Sequence, residues 1–169
     1  APGGISVSLT GSWLDSYKTK TSPATYDPVV EWKGTSGPTL TSFNGGAYKY
    51  RLFTSVGYNL PSFGVNLRWR HLPEVEPASK ATIRANQKAT AKFNETGEGL
   101  PLGWTPSTAH NTPQYDQFDL SAYWNLSQTV SLRFGIDNVF DTQPSITGKN
   151  SGRPYNPELT AAENRAILD

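Results

Sequence analysis

Tyr115 to Ser145 reads YDQFDLSAYWNLSQTVSLRFGIDNVFDTQPS, two alternating runs joined by a short turn. In the first run, Phe118, Leu120, Ala122, Trp124 and Leu126 fall on one parity, and Gln117, Asp119, Ser121, Tyr123 and Asn125 on the other. In the second, Val130, Leu132, Phe134 and Ile136 alternate with Ser131, Arg133, Gly135 and Asp137. A period of two sends successive side chains to opposite faces of a sheet. One face is therefore continuously apolar while the other holds charges and amides. A sheet lying on a soluble core fits this pattern, and so does a barrel wall with lipid outside and water inside.

Two further runs, upstream, behave the same way. Ile5, Val7, Leu9, Gly11 and Trp13 alternate with Ser6, Ser8, Thr10 and Ser12, and Tyr17 rejoins the apolar parity. From Tyr48 to Leu60, Tyr48, Tyr50, Leu52, Thr54, Val56, Tyr58 and Leu60 alternate with Lys49, Arg51, Phe53, Ser55, Gly57 and Asn59. That run exceeds the usual soluble strand of about 5–6 residues and covers the roughly 9–11 that a tilted membrane strand needs. Tyr at both ends with aliphatics between is the pattern of an aromatic girdle. After Pro61-Ser62 a further strand opposes Phe63, Val65, Leu67 and Trp69 to Gly64, Asn66, Arg68 and Arg70, and Pro73 ends it. The expected strands lie near 5–18, 47–60, 63–72, 115–126 and 129–140.

Between them the periodicity disappears. Residues 19–46 collect Pro23, Pro28, Gly34, Gly37, Pro38, Gly45 and Gly46 and carry Tyr26, Trp32 and Phe43. Residues 73–114 form a second long loop, and 141–169 a third. Within the second, Lys80, Arg84, Lys88 and Lys92 recur every fourth residue beside Ala81, Ala85, Ala89 and Phe93, which is helical spacing. The basic stripe is either a solvated face or a contact for phosphate-bearing surface lipid or an anionic ligand. Asn156-Pro157 and the capping-box pattern Thr160 to Glu163 predict a short helix in the third segment. Loops this long are uncommon in compact soluble domains. Tiny turns on one side and long loops on the other describe an outer-membrane barrel with periplasmic turns and extracellular loops.

Composition agrees. Hydrophobic residues make up 36% of the 169, and aromatics 12%, including five Trp. An average globular chain carries about 45–50% apolar residues, Gly included. A net charge of +1 gives no electrostatic case for nucleic acid. The absence of Cys excludes a disulfide scaffold or thiolate metal site. No apolar run of about 18 residues predicts a transmembrane helix. The opening APGGI lacks the pattern of a signal peptide and reads as a turn from which a strand departs. His71 and His110 have no ligand-spaced partners, no G-x-S-x-G nucleophile motif occurs, and neither Gly45-Gly46 nor Gly97-Glu98-Gly99 has the helix context of a phosphate loop. Neither an enzyme activity nor a cofactor or metal is expected. The triplets at Asn94 and Asn125 match the glycosylation pattern, but one stands in a bacterial-type loop and the other at a membrane turn.

The segments Gln117 to Tyr123 and Val130 to Asp141 resemble the C-terminal barrel region of TonB-dependent outer-membrane receptors. In those receptors an FDLSA strand leads through a turn to a strand ending NLFD, with a Pro shortly after. Here the ending is Asn138-Val139-Phe140-Asp141, followed by Pro144. Tyr48 to Arg51 and Leu67 to Arg70 resemble the preceding hairpin. The resemblance implies an antiparallel transmembrane β-barrel of roughly 22 strands with a plugged lumen, of which this chain supplies about five. It implies energy-coupled uptake of a scarce nutrient, such as an iron chelate, cobalamin or an oligosaccharide, in the bacterial outer membrane. The implied partners are the plug and remaining strands of the same receptor, the TonB energy-transducing complex, and outer-membrane lipid with its lipopolysaccharide.

The family's plug, its TonB-box segment and its last strand have no counterpart in the sequence, so the chain reads as an internal fragment of a longer receptor. A passive porin or adhesin barrel shares the alternation. A soluble β-sheet carbohydrate-binding module is the third alternative. For substrate contact the expected residues are Trp32 and Trp104, loop indoles outside any alternating strand that could stack on a sugar or aromatic chelator. Arg51 and Arg70, on the polar parity near the long-loop end, complete the expected set.

Overall fold

The structure, a computed structural model, describes residues 3–20, 27–38, 47–107 and 109–145. The expected helix at Thr160–Glu163, together with Tyr26 and Phe43, lies outside them. The elements are β1 (Gly4–Trp13), β2 (Lys18–Thr19), β3 (Val30–Glu31), β4 (Tyr50–Asn59), β5 (Phe63–Leu72), α1 (Ala78–Thr96), β6 (Tyr115–Asn125) and β7 (Ser131–Ile136). The chain reads in sequence as one domain with long loops, and its contacts separate two compact units. A sheet unit comprises 1–13, 50–73 and 114–144, and a loop unit comprises 14–49, 74–113 and 145–169.

The sheet unit is one antiparallel sheet in the order β1-β4-β5-β6-β7. The register keeps every apolar parity on one face. Val7 lies opposite Val56, Val56 opposite Leu67, Leu67 opposite Leu120, and Leu120 opposite Ile136. On the other face Ser55 lies opposite Arg68, and Arg68 opposite Asp119. A slip of one residue at any ladder would mix the two sets, and none occurs. The turns are short: Leu60 N–H reaches Phe63 O at 2.6 Å, and Leu126 N–H reaches Val130 O at 2.9 Å. Gly64 stands where Tyr123 crosses the β5–β6 ladder. A Cβ there would collide with the tyrosine ring, whose hydroxyl donates to Leu60 O at 3.0 Å.

The apolar face is uncovered. Ile5 is 76% exposed, Leu9 68% and Phe134 56%. Its rings sit toward both ends of the strands. Near the turns stand Tyr58, Phe63 and Trp124, with Phe63 opposite Trp124. At the other end a chain of rings crosses the sheet: Trp13 on Tyr50 (5.9 Å between centroids), Tyr50 on His71 (5.6 Å), His71 against Trp69 (5.5 Å), Trp69 on Phe118 (6.2 Å), and Phe118 edge-on to Phe140 (5.3 Å). Between the two groups lies the aliphatic row from Val7 to Ile136.

Three strand ends fall well inside the expected bounds. The first strand stops at Trp13 rather than continuing to residue 18, because Tyr17 enters another ladder. Its N–H donates to Glu31 Oε1 at 2.8 Å and its carbonyl accepts the Trp32 N–H at 2.7 Å. The second begins at Tyr50, not 47, since Ala47 bridges to Thr35 in the loop unit. Tyr48 thus lies outside the β4 ladder. The last stops at Ile136 rather than 140, where Asn138 and Asp141 take left-handed backbone (φ 54° and 49°). Asn138 closes this turn, accepting the Thr142 N–H at 2.9 Å and donating Nδ2 to Thr142 O at 3.1 Å. Asn and Asp tolerate that region better than other side chains.

The loop unit has a small core of its own, Val30, Trp32, Ala47, Ala78, Ala81 and Ala85, with Leu14 packed against it. The described part of residues 14–49 is therefore not a structureless loop: β2 and β3 pair antiparallel. Helix α1 bears out the four-residue spacing of the sequence. Its alanine side is the buried one, small enough to lie close on Val30 and Trp32. It starts after Pro77, with Ser36 Oγ accepting the Ala78 N–H at 3.1 Å. It ends at Gly97, whose φ of 70° suits a left-handed cap. No helix among the described residues is long and apolar enough to cross a membrane.

Candidate functional site

Alternation puts Arg51, Phe53, Arg68, Arg70, Gln117, Asp119 and Arg133 on the polar face of the sheet. Arg70 lies opposite Phe53 and Gln117, so Arg51, two residues from Phe53, is its diagonal neighbour across the ladder. The two arginines named from sequence are thus brought together. Arg70 makes no ion pair with a described residue. Asp119 organises the neighbouring strands. Only 5% exposed, it accepts Gln117 Nε2 at 2.9 Å and the Asn138 N–H at 3.0 Å. Arg68 Nη2 lies 3.8 Å from both Asp119 and Asp137. Asp137 is largely exposed, and pairs of this kind contribute about 0–1 kcal/mol. The amide–carboxylate bonds are the stronger anchor, and they tie the turn after β7 to the middle of β6. The result is a charged surface on which Arg51 and Arg70 lie as diagonal neighbours beside the Arg68–Asp119 pair.

The two tryptophans have different fates. Trp32 is 7% exposed, with its Nε1–H donated to Thr19 Oγ1 at 2.7 Å. Its ring is part of the loop-unit core and presents no open face for a sugar or chelator, so packing, not stacking on a ligand, is what its position supplies. Trp104 is 48% exposed and stands on a segment fastened to α1. Thr90 Oγ1 donates to Leu102 O at 3.0 Å and accepts its N–H at 2.8 Å, while Asn86 Nδ2 donates to Gly103 O at 3.0 Å. An indole on a backbone held this way loses less freedom on contact with a ligand than one on a free loop. Trp104 belongs to the loop unit, and Arg51 and Arg70 to the sheet unit.

Glu31 fixes the β2–β3 corner of the loop unit. The Tyr17 N–H, then the Lys33 N–H at 3.1 Å and the Lys18 and Lys33 charges, outweigh partial burial and hold its carboxyl below the ordinary glutamate range. The folded value lies under the unfolded one, so this stabilisation is complete above about pH 4.3 and is lost as pH falls through the folded value. Hydrogen exchange corrected for intrinsic rates should show the Tyr17 and Lys33 amides losing protection on acidification before Ala85 does. Equal loss at all three would remove Glu31 from this role.

One constellation escaped the sequence reading. On the apolar face, Asp116 Oδ1 accepts Trp69 Nε1–H at 2.8 Å and lies 2.7 Å from His71 Nδ1, and His71 Nε2 lies 3.3 Å from the Tyr50 hydroxyl. His71 continues the parity of Leu67 and Trp69. Asp116 shares the parity of Phe118, and a carboxylate on an apolar parity opposite a histidine was the available signal. The cluster joins β4, β5 and β6 within the ring chain, satisfying polar atoms that would otherwise face apolar surroundings. No protein-family model matches the chain, and no curated protein or solved structure gives a match.

Proposed function

We propose that the chain is part of the wall of an outer-membrane β-barrel that takes up a scarce nutrient, of the TonB-dependent receptor type. In this reading the apolar face meets lipid, the polar face lines the lumen, and the long connections are extracellular. The observation that carries it is the uncovered apolar face, with rings toward both ends and an aliphatic row between. A sheet on a soluble core would bury that face. Dimensions agree: ten-residue strands at about 3.3 Å per residue, tilted about 40°, rise about 25 Å, the height of an outer-membrane apolar band. Among the described residues the sheet's two outer strands, β1 and β7, each have a partner on one side only, and a barrel closes only when such edges find partners. Further strands of the same receptor fill that role, and a plug occupies the lumen.

The transport class rests on the resemblance carried by Gln117 to Tyr123 and Asn138 to Asp141, and on the arginines at the long-loop end of the polar face. Its substrate is an iron chelate, cobalamin or oligosaccharide, its energy comes from the TonB complex, and lipopolysaccharide surrounds the outer rim. Trp104, Arg51 and Arg70 are the residues assigned to substrate contact.

Single-tryptophan variants in vesicles containing brominated lipid test the orientation. Trp13, Trp69 and Trp124 should be quenched and Trp104 should not. Uniform quenching, or none, removes the membrane reading. Loss of uptake of one of the named nutrients on deleting the full receptor tests the transport class.

A further inference from the structure

Helix α1 carries a second feature beyond its buried alanines. Toward its C-terminal half, a half-open hollow of about 620 Å³ lies within the loop unit, between the helix and the segments 27–29 and 98–100. That volume is within the range of about 300–1,000 Å³ typical of small-molecule sites. Its walls are apolar, formed by Val29, Ala89 and Leu100, with Val29 and Leu100 both about half exposed to the opening. Four charges line it. Lys92 and Glu98 neutralise each other at 3.0 Å. Lys88 and Asp27 pair neither with each other nor with any other described residue.

We infer that this hollow binds a small zwitterionic solute with an apolar body, of the amino-acid or short-peptide class. The solute's carboxylate meets Lys88, its ammonium meets Asp27, and its side chains lie on Val29, Ala89 and Leu100. A plain anion would be drawn to Lys88 but repelled by Asp27 and Glu98, and a plain cation faces the reverse. Only a ligand bearing both signs leaves neither charge without a partner. Losing one charge-assisted contact of this kind should weaken binding roughly tenfold. Binding at this hollow does not depend on the membrane reading.

The test is calorimetric titration of the full chain with L-leucyl-L-leucine, with its N-acetyl derivative, which lacks the cation, and with its C-terminal amide, which lacks the anion. The free dipeptide should bind saturably and each capped form about tenfold or more weakly. Lys88→Ala should abolish the preference for the free carboxylate, and Asp27→Asn the preference for the free amine. Lys80→Ala, whose ammonium is already bonded to Asn111 at 2.8 Å, should leave binding unchanged. Helical circular dichroism confirms that each variant keeps α1. Equal binding of all three peptides, absence of saturation at millimolar peptide, or an equal loss in Lys80→Ala overturns the inference. None of these outcomes touches the quenching test of the membrane reading.

Discussion

Leu67→Arg and Leu120→Arg are each expected to cost the membrane-inserted protein about 2–4 kcal/mol, the range for a cation on the lipid face near mid-bilayer. The two leucines face each other across the β5–β6 ladder, in the aliphatic row between the two groups of rings. Ser121→Arg moves the same charge one residue along and to the polar face, where Ser121 lies opposite Asn66 and Gly135. Its cost should stay below about 1 kcal/mol, because the guanidinium remains in water. Leu132→Arg should fall between, since Leu132 lies opposite Trp124, close to the turn. Reversible denaturant titration of the lipid-reconstituted protein measures all four. Equal penalties at Leu120 and Ser121 would mean two buried faces, which is a sandwich and not a barrel wall.

Asp116→Ala should destabilise the same sheet by about 2–5 kcal/mol. The substitution takes the acceptor from Trp69 Nε1–H and the partner from His71 Nδ1. Each buried polar group left alone costs about 1–3 kcal/mol, and neither ring can turn toward water without leaving the ring chain. Asp116→Asn keeps a carbonyl oxygen where Oδ1 now stands, so it should cost clearly less. Trp69 emission should shift with the alanine variant and hold with the asparagine one. An alanine variant within about 0.5 kcal/mol of the parent would show that the cluster contributes no more than an ordinary surface contact.

The sheet was legible because parity is a local property: whether Leu67 and Arg68 part company depends on backbone pleat alone. Its limits were less so. Tyr17 and Tyr48 keep the parity of their runs, but a strand ends where its partner's hydrogen bonds go elsewhere, and Glu31 and Thr35 draw those segments into the loop unit. Neither is near them in sequence. Trp32 was read as a ligand contact since it stands outside any period. What buries it is Ala78, Ala81 and Ala85, visible as a helical stripe but not as a surface for that particular ring. Trp104, also aperiodic, is exposed because Thr90 and Asn86 fasten the backbone before it and leave its ring uncovered. The polar-face arginines were found by parity. Asp116 was missed because charge on an apolar parity looks like a strand end rather than a bonded group.

The unequal connections have a kinetic consequence. β4 meets β5, and β6 meets β7, across turns of a few residues, contacts that form on the microsecond scale of hairpins. β1 must find β4 across residues 14–49, and β5 must find β6 across 73–114. Loop-closure entropy grows only logarithmically with length, but such distant pairings still slow the search. The chain should therefore acquire two hairpins and one lone strand first, and assemble the sheet afterwards. Pairing β2 with β3, where Lys18 lies opposite Glu31, and bridging Thr35 to Ala47 close two shorter loops within the first long connection. The segment between Trp13 and Tyr50 then acts as a clasp that shortens the search of β1 for β4, and loosening it should delay assembly more than it weakens the finished sheet.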